Sequence, residues 1–323
     1  MARYSFGNGL PTWNGVPMVG GIPITNGNYY FVDYGNGSDG NKGTSMDKPF
    51  KTIDKAYGLV TSNNDDVICL IGNSTHVLTE MLSVAKNRVH FVGLDGTRRM
   101  YGQNAKVSLG VTTAATDIAT IQNTGVRNTF HNIKFINNNT VTEGIYCVVE
   151  AGEYAHYDYC EIYKSTDMDQ TGAAELVMNG DSAQLTNCTI GSLATARSGA
   201  VIRPNVLVTK GIVSGKVARD VYFGNCRFWI NASNTANRFV YGANAADVER
   251  VMEFDKCSFI NNGASSATPA QNVAFASSLT VGSVLLKYCT SINAGTAMST
   301  TTGVFVDGAA PAAATSGISV QAS

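Results

Sequence analysis

A repeated segment centred on cysteine constrains the fold of this chain more than any other feature. Apolar or aromatic residues stand three positions before every centre, and in five of the six segments also five positions before it. The residue two positions after the centre is apolar in every segment except the last. The pattern therefore indicates one structural unit repeated along the chain. The six centres are Ile133, Cys160, Cys188, Cys226, Cys257 and Cys289.

The spacing within each segment predicts two strands and a corner. Residues two apart share one face of a strand, so the step of three before each centre breaks the alternation and indicates a corner or bulge. The centres are 27, 28, 38, 31 and 32 residues apart, and we expect the longest interval to contain a loop insertion around residues 194–215. A fixed inward pattern with variable spacing is typical of a β-solenoid, whose corners accept extra residues.

The cysteines are expected to have a structural role. None of the seven belongs to a C-x-x-C pair, and none has the Cys/His spacing of a zinc site. Stacked coils would place the five central cysteines and Ile133 in one interior column, where a small apolar thiol packs well. The sequence therefore predicts a buried structural ladder at these six positions, with no metal site and no cofactor.

Charge and hydropathy exclude two classes of partner. Lys and Arg number 23 against 24 Asp and Glu, so the net charge of −1 provides no field for binding nucleic acid. The longest apolar runs are only a few residues, which excludes insertion into a membrane by a helix. No apolar leader follows Met1, so we expect synthesis in a cytoplasm.

The segment from Tyr30 to Tyr57 predicts an entry strand, a turn rich in Gly, Asn and Asp, and a short amphipathic helix at about residues 51–60. Its Gly-Ser-Asp-Gly, Gly-Thr and Lys-Pro-Phe-Lys-Thr-Ile motifs occupy residues 37–40, 43–44 and 48–53. This stretch resembles the entry segment of right-handed parallel β-helix proteins of the pectate-lyase-like superfamily. The resemblance implies an all-β, single-stranded right-handed parallel β-helix in which the helix caps the N-terminal end.

The N-terminal stretch indicates an attachment device. Tyr4-Ser5-Phe6-Gly7-Asn8-Gly9-Leu10-Pro11 and the Gly-Pro-rich residues up to Pro23 resemble phage virion proteins that carry this domain as tailspikes, fibres or head decoration. We therefore expect an extended arm at residues 1–29, a β-helix at residues 30–305 and a small-residue tail at residues 306–323.

Three residues are the candidates for catalysis in a fold whose relatives often cleave or bind polysaccharides. Asp167 and Asp169 form an acidic pair, and Arg203-Pro204 matches part of a lyase Arg-Pro motif whose second arginine is absent. Solvated loop charge is the simpler interpretation. Trp229 follows the inward Phe228, so we expect it to point outward and contact either a sugar ring or another subunit.

These observations favour a non-enzymatic structural protein of a phage virion, located in capsid decoration or in a tail fibre or spike. We expect a homotrimer that attaches to capsid or tail proteins through residues 1–29, and a host surface glycan is a further candidate partner. The alternative is a tailspike that binds or depolymerises polysaccharide, as a lyase or hydrolase. A free bacterial adhesin is a third hypothesis.

Overall fold

The computed structural model describes most of the chain, together with three two-residue strands near the N terminus. Those strands, β1 (Tyr4–Ser5), β2 (Thr12–Trp13) and β3 (Val16–Pro17), pair antiparallel. The other residues of the predicted arm up to residue 24, and the predicted tail beyond residue 307, lie outside the described residues. The described ranges are 25–94, 99–110, 114–139, 144–166, 170–197, 201–232, 235–263, 272–293 and 298–307.

Three parallel sheets form the rest of the described structure, and from β5 to β27 every third strand joins the same sheet. Sheet I contains β4 (Tyr29–Val32), β5 (Val67–Ile71), β8 (His90–Leu94), β11 (Thr129–His131), β14 (His156–Asp158), β17 (Gln184–Thr186), β20 (Ala218–Gly224), β23 (Val248–Asp255), β26 (Ser283–Lys287) and β28 (Val304–Val306). Sheet II contains β6 (Thr75–Leu78), β9 (Lys106–Leu109), β12 (Lys134–Asn137), β15 (Glu161–Lys164), β18 (Thr189–Arg197), β21 (Arg227–Ala232), β24 (Ser258–Asn261) and β27 (Thr290–Ile292). Sheet III contains β7 (Leu82–Val84), β10 (Ala119–Asn123), β13 (Tyr146–Glu150), β16 (Ala174–Met178), β19 (Pro204–Val208), β22 (Arg238–Gly242) and β25 (Val273–Phe275). The predicted all-β parallel solenoid is confirmed.

The interior consists of columns of like residues stacked between coils. The six residues three positions before each repeat centre are fully buried on sheet I and lie in consecutive rungs. The rings of Phe130 and Tyr157 stack at 4.6 Å between centroids, and those of Phe223 and Phe254 do so at the same distance. Such stacked ring pairs add to the stabilisation that burial provides.

The corner between sheets I and II has one construction in every repeat. Two residues separate the strands, and the first of them has a left-handed backbone, with φ of 53° at Tyr159 and 54° at Asn187. This conformation turns the chain and produces the break in alternation. The second is the repeat centre. In the five repeats where it is cysteine, its thiol donates to the carbonyl three residues before the previous centre, as Cys160 Sγ does to Phe130 O at 3.3 Å. The cysteine thus fills the corner and also satisfies a buried carbonyl.

A helix, α1 (Ile53–Leu59), packs against β4, the terminal strand of sheet I. Ile53 and Ala56 are buried in the main core. The Thr52 hydroxyl caps the helix by accepting from Lys55 N at 3.2 Å. Asp39, from the Gly-Ser-Asp-Gly motif, accepts from the backbone N–H groups of Lys51 and Thr52 at 2.9 Å, so this motif fixes the entry to the helix.

The longest repeat interval contains two excursions rather than the single insertion expected around residues 194–215. Strand β18 bulges after Gly191 and runs on to Arg197, and β19 then returns to the interior. The second excursion follows β19, at residues 209–217, and brings Ile212 and Val213 against an apolar cluster on the outer face of sheet III. That cluster needs a cover because an exposed apolar face is unfavourable, so the excursion has a packing role.

Candidate functional site

Four charged side chains are buried together where the chain passes from sheet II to sheet III. Lys164 ends β15, Glu175 lies in β16, Arg197 ends β18, and Arg203 immediately precedes β19. Each is only 5–6% exposed. Together with Thr166, Ser192 and Thr195 they line a cavity of about 20 Å³, which we call the corner pocket. Two successive coils contribute to it, so the register of the solenoid creates the cluster.

An ion pair organises one wall of the corner pocket. Arg197 Nη2 lies 2.6 Å from Glu175 Oε1, and Arg197 Nη1 donates to the carbonyl oxygen of Arg203 at 2.7 Å. Asn205 Nδ2 completes the wall by contacting Glu175 Oε2 at 3.5 Å. A buried guanidinium–carboxylate pair requires such additional hydrogen bonds because both charges have lost their water. The pair therefore holds two coils in a fixed relation.

Lys164 brings a further positive charge to the pocket. Its Nζ donates to Gly144 O at 3.0 Å, and burial lowers the pKa of its ammonium to about 8. At neutral pH the ammonium is therefore mostly protonated. The charged lining residues that the structure describes are then three cations and one carboxylate, an excess that favours a small anionic group.

The structure brings one of the three predicted catalytic candidates to this pocket. Arg203 lines it. Asp167 and Asp169 lie outside the described residues, although Thr166, which directly precedes them, is part of the lining. The sequence did not single out Lys164, Glu175 or Arg197. The only available signal for Arg197 was its position inside the long repeat interval.

The thiol ladder has no chemically accessible site in its central part. Cys160, Cys188 and Cys226 are buried, and burial raises the pKa of each thiol well above its ordinary value. A thiol with a raised pKa is a poor nucleophile and a poor metal ligand, because both roles need the thiolate. Across the ranges given above, no group of three or more His, Cys, Asp or Glu side chains is arranged to hold a metal ion.

Trp229 lies on the outer face of sheet II, where its ring is half-buried against Tyr101 at 5.3 Å between centroids. Tyr101 comes from the segment before β9, four strands away in the same sheet. Its ring also lies 5.8 Å from the Arg227 guanidinium. The predicted exposed aromatic is therefore part of a cluster assembled from distant coils.

Comparison with known proteins identifies relatives of the fold. No protein-family model matches the chain, and no curated protein sequence matches it. Among solved structures, pectate lyase Pel9A superposes with a TM-score of 0.59 and 14% identity, over 88% of this chain and 69% of that one. A rhamnogalacturonan lyase gives 0.57 and 13%, over 82% and 68%. A pectin methylesterase from Aspergillus niger gives 0.52 and 12%, over 97% and 94%.

These neighbours are right-handed parallel β-helix proteins, so the predicted resemblance to the pectate-lyase-like superfamily is confirmed for the fold. The architecture is that of β-helix enzymes that degrade polysaccharides. At 12–14% identity the similarity concerns the backbone alone, because one fold supports many activities. None of the helices within the described ranges is long and apolar enough to cross a membrane.

Proposed function

We propose that this chain is a structural protein of a bacteriophage virion that forms a stable β-helical element on the particle surface. The observation that carries this proposal is the unbroken interior, in which buried aromatic and thiol columns continue from Phe91 to Leu286. Such an interior suits a load-bearing rod, because each coil is held by its two neighbours through backbone ladders and stacked side chains. The resemblance of residues 4–23 to phage virion proteins supports a location on the particle.

In this proposal the protein acts mechanically. Parallel ladders leave few backbone groups open to proteases, so the rod persists outside the cell. Residues 1–29 attach it to capsid or tail proteins, and three copies associate as a homotrimer. The outer faces then meet the particle, a sister subunit or the host surface.

Mass spectrometry of purified particles tests the location. Many copies of the chain per particle are expected, and its presence only in the lysate of infected cells would refute the virion role. Sedimentation equilibrium of the isolated protein tests the trimer. A variant that lacks residues 1–29 is expected to keep the far-ultraviolet circular dichroism spectrum of a β-helix and to fail to join particles.

The corner pocket favours a second candidate function, the binding or cleavage of a host polysaccharide. Its buried cations Lys164, Arg197 and Arg203 suit the acidic group of a sugar, and its lining includes Thr166, which directly precedes Asp167 in the sequence. The enzymatic folds of the solved neighbours are consistent with this candidate. A lyase mechanism would use a basic side chain to remove a proton next to the sugar carboxylate.

Incubation with acidic polysaccharides tests the second candidate. Cleavage would release unsaturated or reducing ends, and Arg203→Ala should abolish that release. Arg250→Ala is the matched control, because Arg250 is an exposed arginine away from the pocket lining. Equal loss in both variants would exclude the pocket as the site. Absence of both binding and products would leave the structural role as the only proposal.

A further inference from the structure

The outer face of sheet II carries an aromatic cluster that the rod does not need for its interior. Trp229 on β21 packs against Tyr101, and the Arg227 guanidinium lies over the Tyr101 ring. Tyr101 is 53% exposed, so one side of its ring faces solvent. We call Thr189, Arg227, Trp229 and Tyr101 the aromatic platform.

Two polar atoms of the aromatic platform are buried without a hydrogen-bond partner. They are the indole Nε1 of Trp229 and the hydroxyl oxygen of Thr189. Thr189 is fully buried, and its backbone pairs with that of Arg227 on the neighbouring strand. Buried polar groups in folded proteins are almost always hydrogen-bonded, because leaving one unbonded costs free energy. A donor and a hydroxyl on adjacent strands therefore indicate a missing polar ligand.

The segment that contains Tyr101 crosses this position. Gly102 N donates to Glu161 Oε2 at 2.7 Å. The registers place Glu161, Thr189 and Arg227 in one row across three adjacent strands. The Gly102 backbone is bonded to Glu161 and the Tyr101 ring lies beside Arg227, so both ends of this row contact the Tyr101–Gly102 segment.

We propose that the aromatic platform binds a neutral glycan, with one pyranose ring held between the faces of Trp229 and Tyr101. The apolar C–H face of a pyranose suits an aromatic ring, while its hydroxyls accept from the indole N–H and bond to the Thr189 hydroxyl. Two ring contacts at ordinary carbon–carbon separation require about 7–8 Å between the aromatic planes, so the exposed Tyr101 must retreat from its 5.3 Å contact.

The polar atoms decide the class of ligand. An apolar side chain of a protein partner would cover the rings and leave the indole N–H and the hydroxyl unbonded. A sugar satisfies both and still uses the aromatic surface. Glu161, the carboxylate of this row, already accepts from Gly102 and pairs with Lys134 at 2.9 Å, and the Arg227 guanidinium lies against the Tyr101 ring. The groups left unbonded are a neutral N–H and a neutral hydroxyl, which suit the hydroxyls of a neutral sugar. This proposal does not rest on the virion role or on the corner pocket.

Glycan-array binding of the full chain, followed by titration calorimetry with each bound oligosaccharide, tests the proposal. Maltohexaose, cellohexaose and chitohexaose serve as the neutral probes, and hexagalacturonate as the acidic one. Trp229→Ala should weaken neutral binding at least about thirtyfold, as expected for the loss of a buried aromatic anchor. Trp229→Phe and Thr189→Val should each weaken it about fivefold to tenfold by removing one hydrogen bond.

Tyr288→Ala is the matched control, since Tyr288 is 66% exposed and lies at a corner outside the aromatic platform. It should bind like the native chain. Because the chain has two tryptophans, a Trp13→Phe background lets fluorescence report on Trp229 alone.

Absence of Trp229-dependent binding to any arrayed glycan would overturn the proposal. A Trp229→Ala variant that loses self-association and binds no glycan would overturn it in favour of a subunit contact. Trp229-dependent binding of the acidic probe without binding of any neutral probe would also refute it.

Discussion

Glu150 provides the sharpest test of the interior, because it is a carboxyl group fully buried inside the solenoid at the end of β13. It accepts hydrogen bonds from Gly152 N at 2.7 Å, from Asn123 Nδ2 at 2.9 Å and from the Tyr157 hydroxyl at 2.7 Å. Burial nevertheless raises the pKa of this carboxyl to about 7, from an ordinary value of 4.5. The loss of water around the charge therefore outweighs the three hydrogen bonds that favour the charged form.

The raised pKa makes folding depend on pH with a definite sign. Between about pH 4.5 and pH 7 the folded protein keeps the Glu150 proton and the unfolded chain releases it, so the free energy of unfolding falls as the pH rises. At 1.36 kcal/mol per pH unit, the loss across this window is about 3 kcal/mol. This loss is complete once the pH exceeds the pKa of Glu150 in the folded protein.

Glu150→Gln removes the ionisation while keeping the size of the side chain. The amide of Gln alters the hydrogen bond with the Tyr157 hydroxyl. This change lowers the free energy of unfolding by an amount that does not depend on pH. Urea denaturation followed by circular dichroism at pH 4.5, 5.5, 6.5 and 7.5 should therefore show the variant gaining about 3 kcal/mol relative to the native chain. Tyr157→Phe should extend the native decline to higher pH, because the Tyr157 hydroxyl lowers the pKa of Glu150.

Asp47→Asn is the control, since Asp47 is an exposed carboxylate on a turn outside the interior. It should not reproduce the gain of about 3 kcal/mol. A constant difference for Glu150→Gln would refute the reasoning, because it would mean that the buried carboxyl titrates at its ordinary pKa.

Four further changes test other parts of the structure by urea denaturation at neutral pH. Phe223→Ala should cost about 3–5 kcal/mol because it leaves a cavity in the stacked column; a loss below about 1 kcal/mol would contradict that packing. Asn225→Ala should cost about 1–2 kcal/mol, since its φ is 52°, and Asn225→Gly should cost less. Glu175→Ala should cost about 3–5 kcal/mol by leaving the Arg197 guanidinium buried and unpaired, and a neutral effect would show that water enters the corner pocket. Thr52→Ala should cost about 1 kcal/mol through the lost helix cap, and Thr52→Ser should retain most of it.

The interior columns were predictable because burial repeats with a fixed parity. Every residue three positions before a repeat centre is buried, and so are the centres from Ile133 to Cys257. The last repeat departs from the pattern, with Cys289 half-buried and Ser291 exposed. The polar residue at that inward position already indicated the difference. The buried positions were therefore the part of the structure that the sequence predicted most directly.

The corner conformation was less predictable from residue types. Asn favours a left-handed backbone, and Asn132, Asn187 and Asn225 adopt it. Tyr159 and Lys256 adopt the same conformation at equivalent positions, although their side chains do not favour it. The ladders on both sides of the corner impose the turn, and their combined free energy exceeds the local cost of about 1–2 kcal/mol.

The two candidate sites could not be assembled from the sequence because they depend on register. Arg203 carried a motif signal, whereas Lys164 and Glu175 reach the corner pocket only through the stacking of separate coils. Tyr101 meets Trp229 across more than 120 positions of sequence and three intervening strands of one sheet. No local pattern encodes such a contact, since periodicity reports which face a residue occupies and not which distant loop covers it.

The different corners explain where function can arise on this rod. The corner between sheets I and II is two residues long in all six repeats, and in the five with a cysteine centre a thiol hydrogen bond closes it. Before these repeats the same passage is long, from Leu94 to Lys106, and it carries Tyr101. The passage from sheet II to sheet III varies in length, from Ala232 to Arg238 in one coil and from Asn261 to Val273 in the next. Extra residues at that corner leave the ladders intact. The corner pocket lies there, and the aromatic platform uses another long connection, which crosses the outside of sheet II. We therefore expect substitutions in the interior to change stability, and substitutions at these two surfaces to change binding.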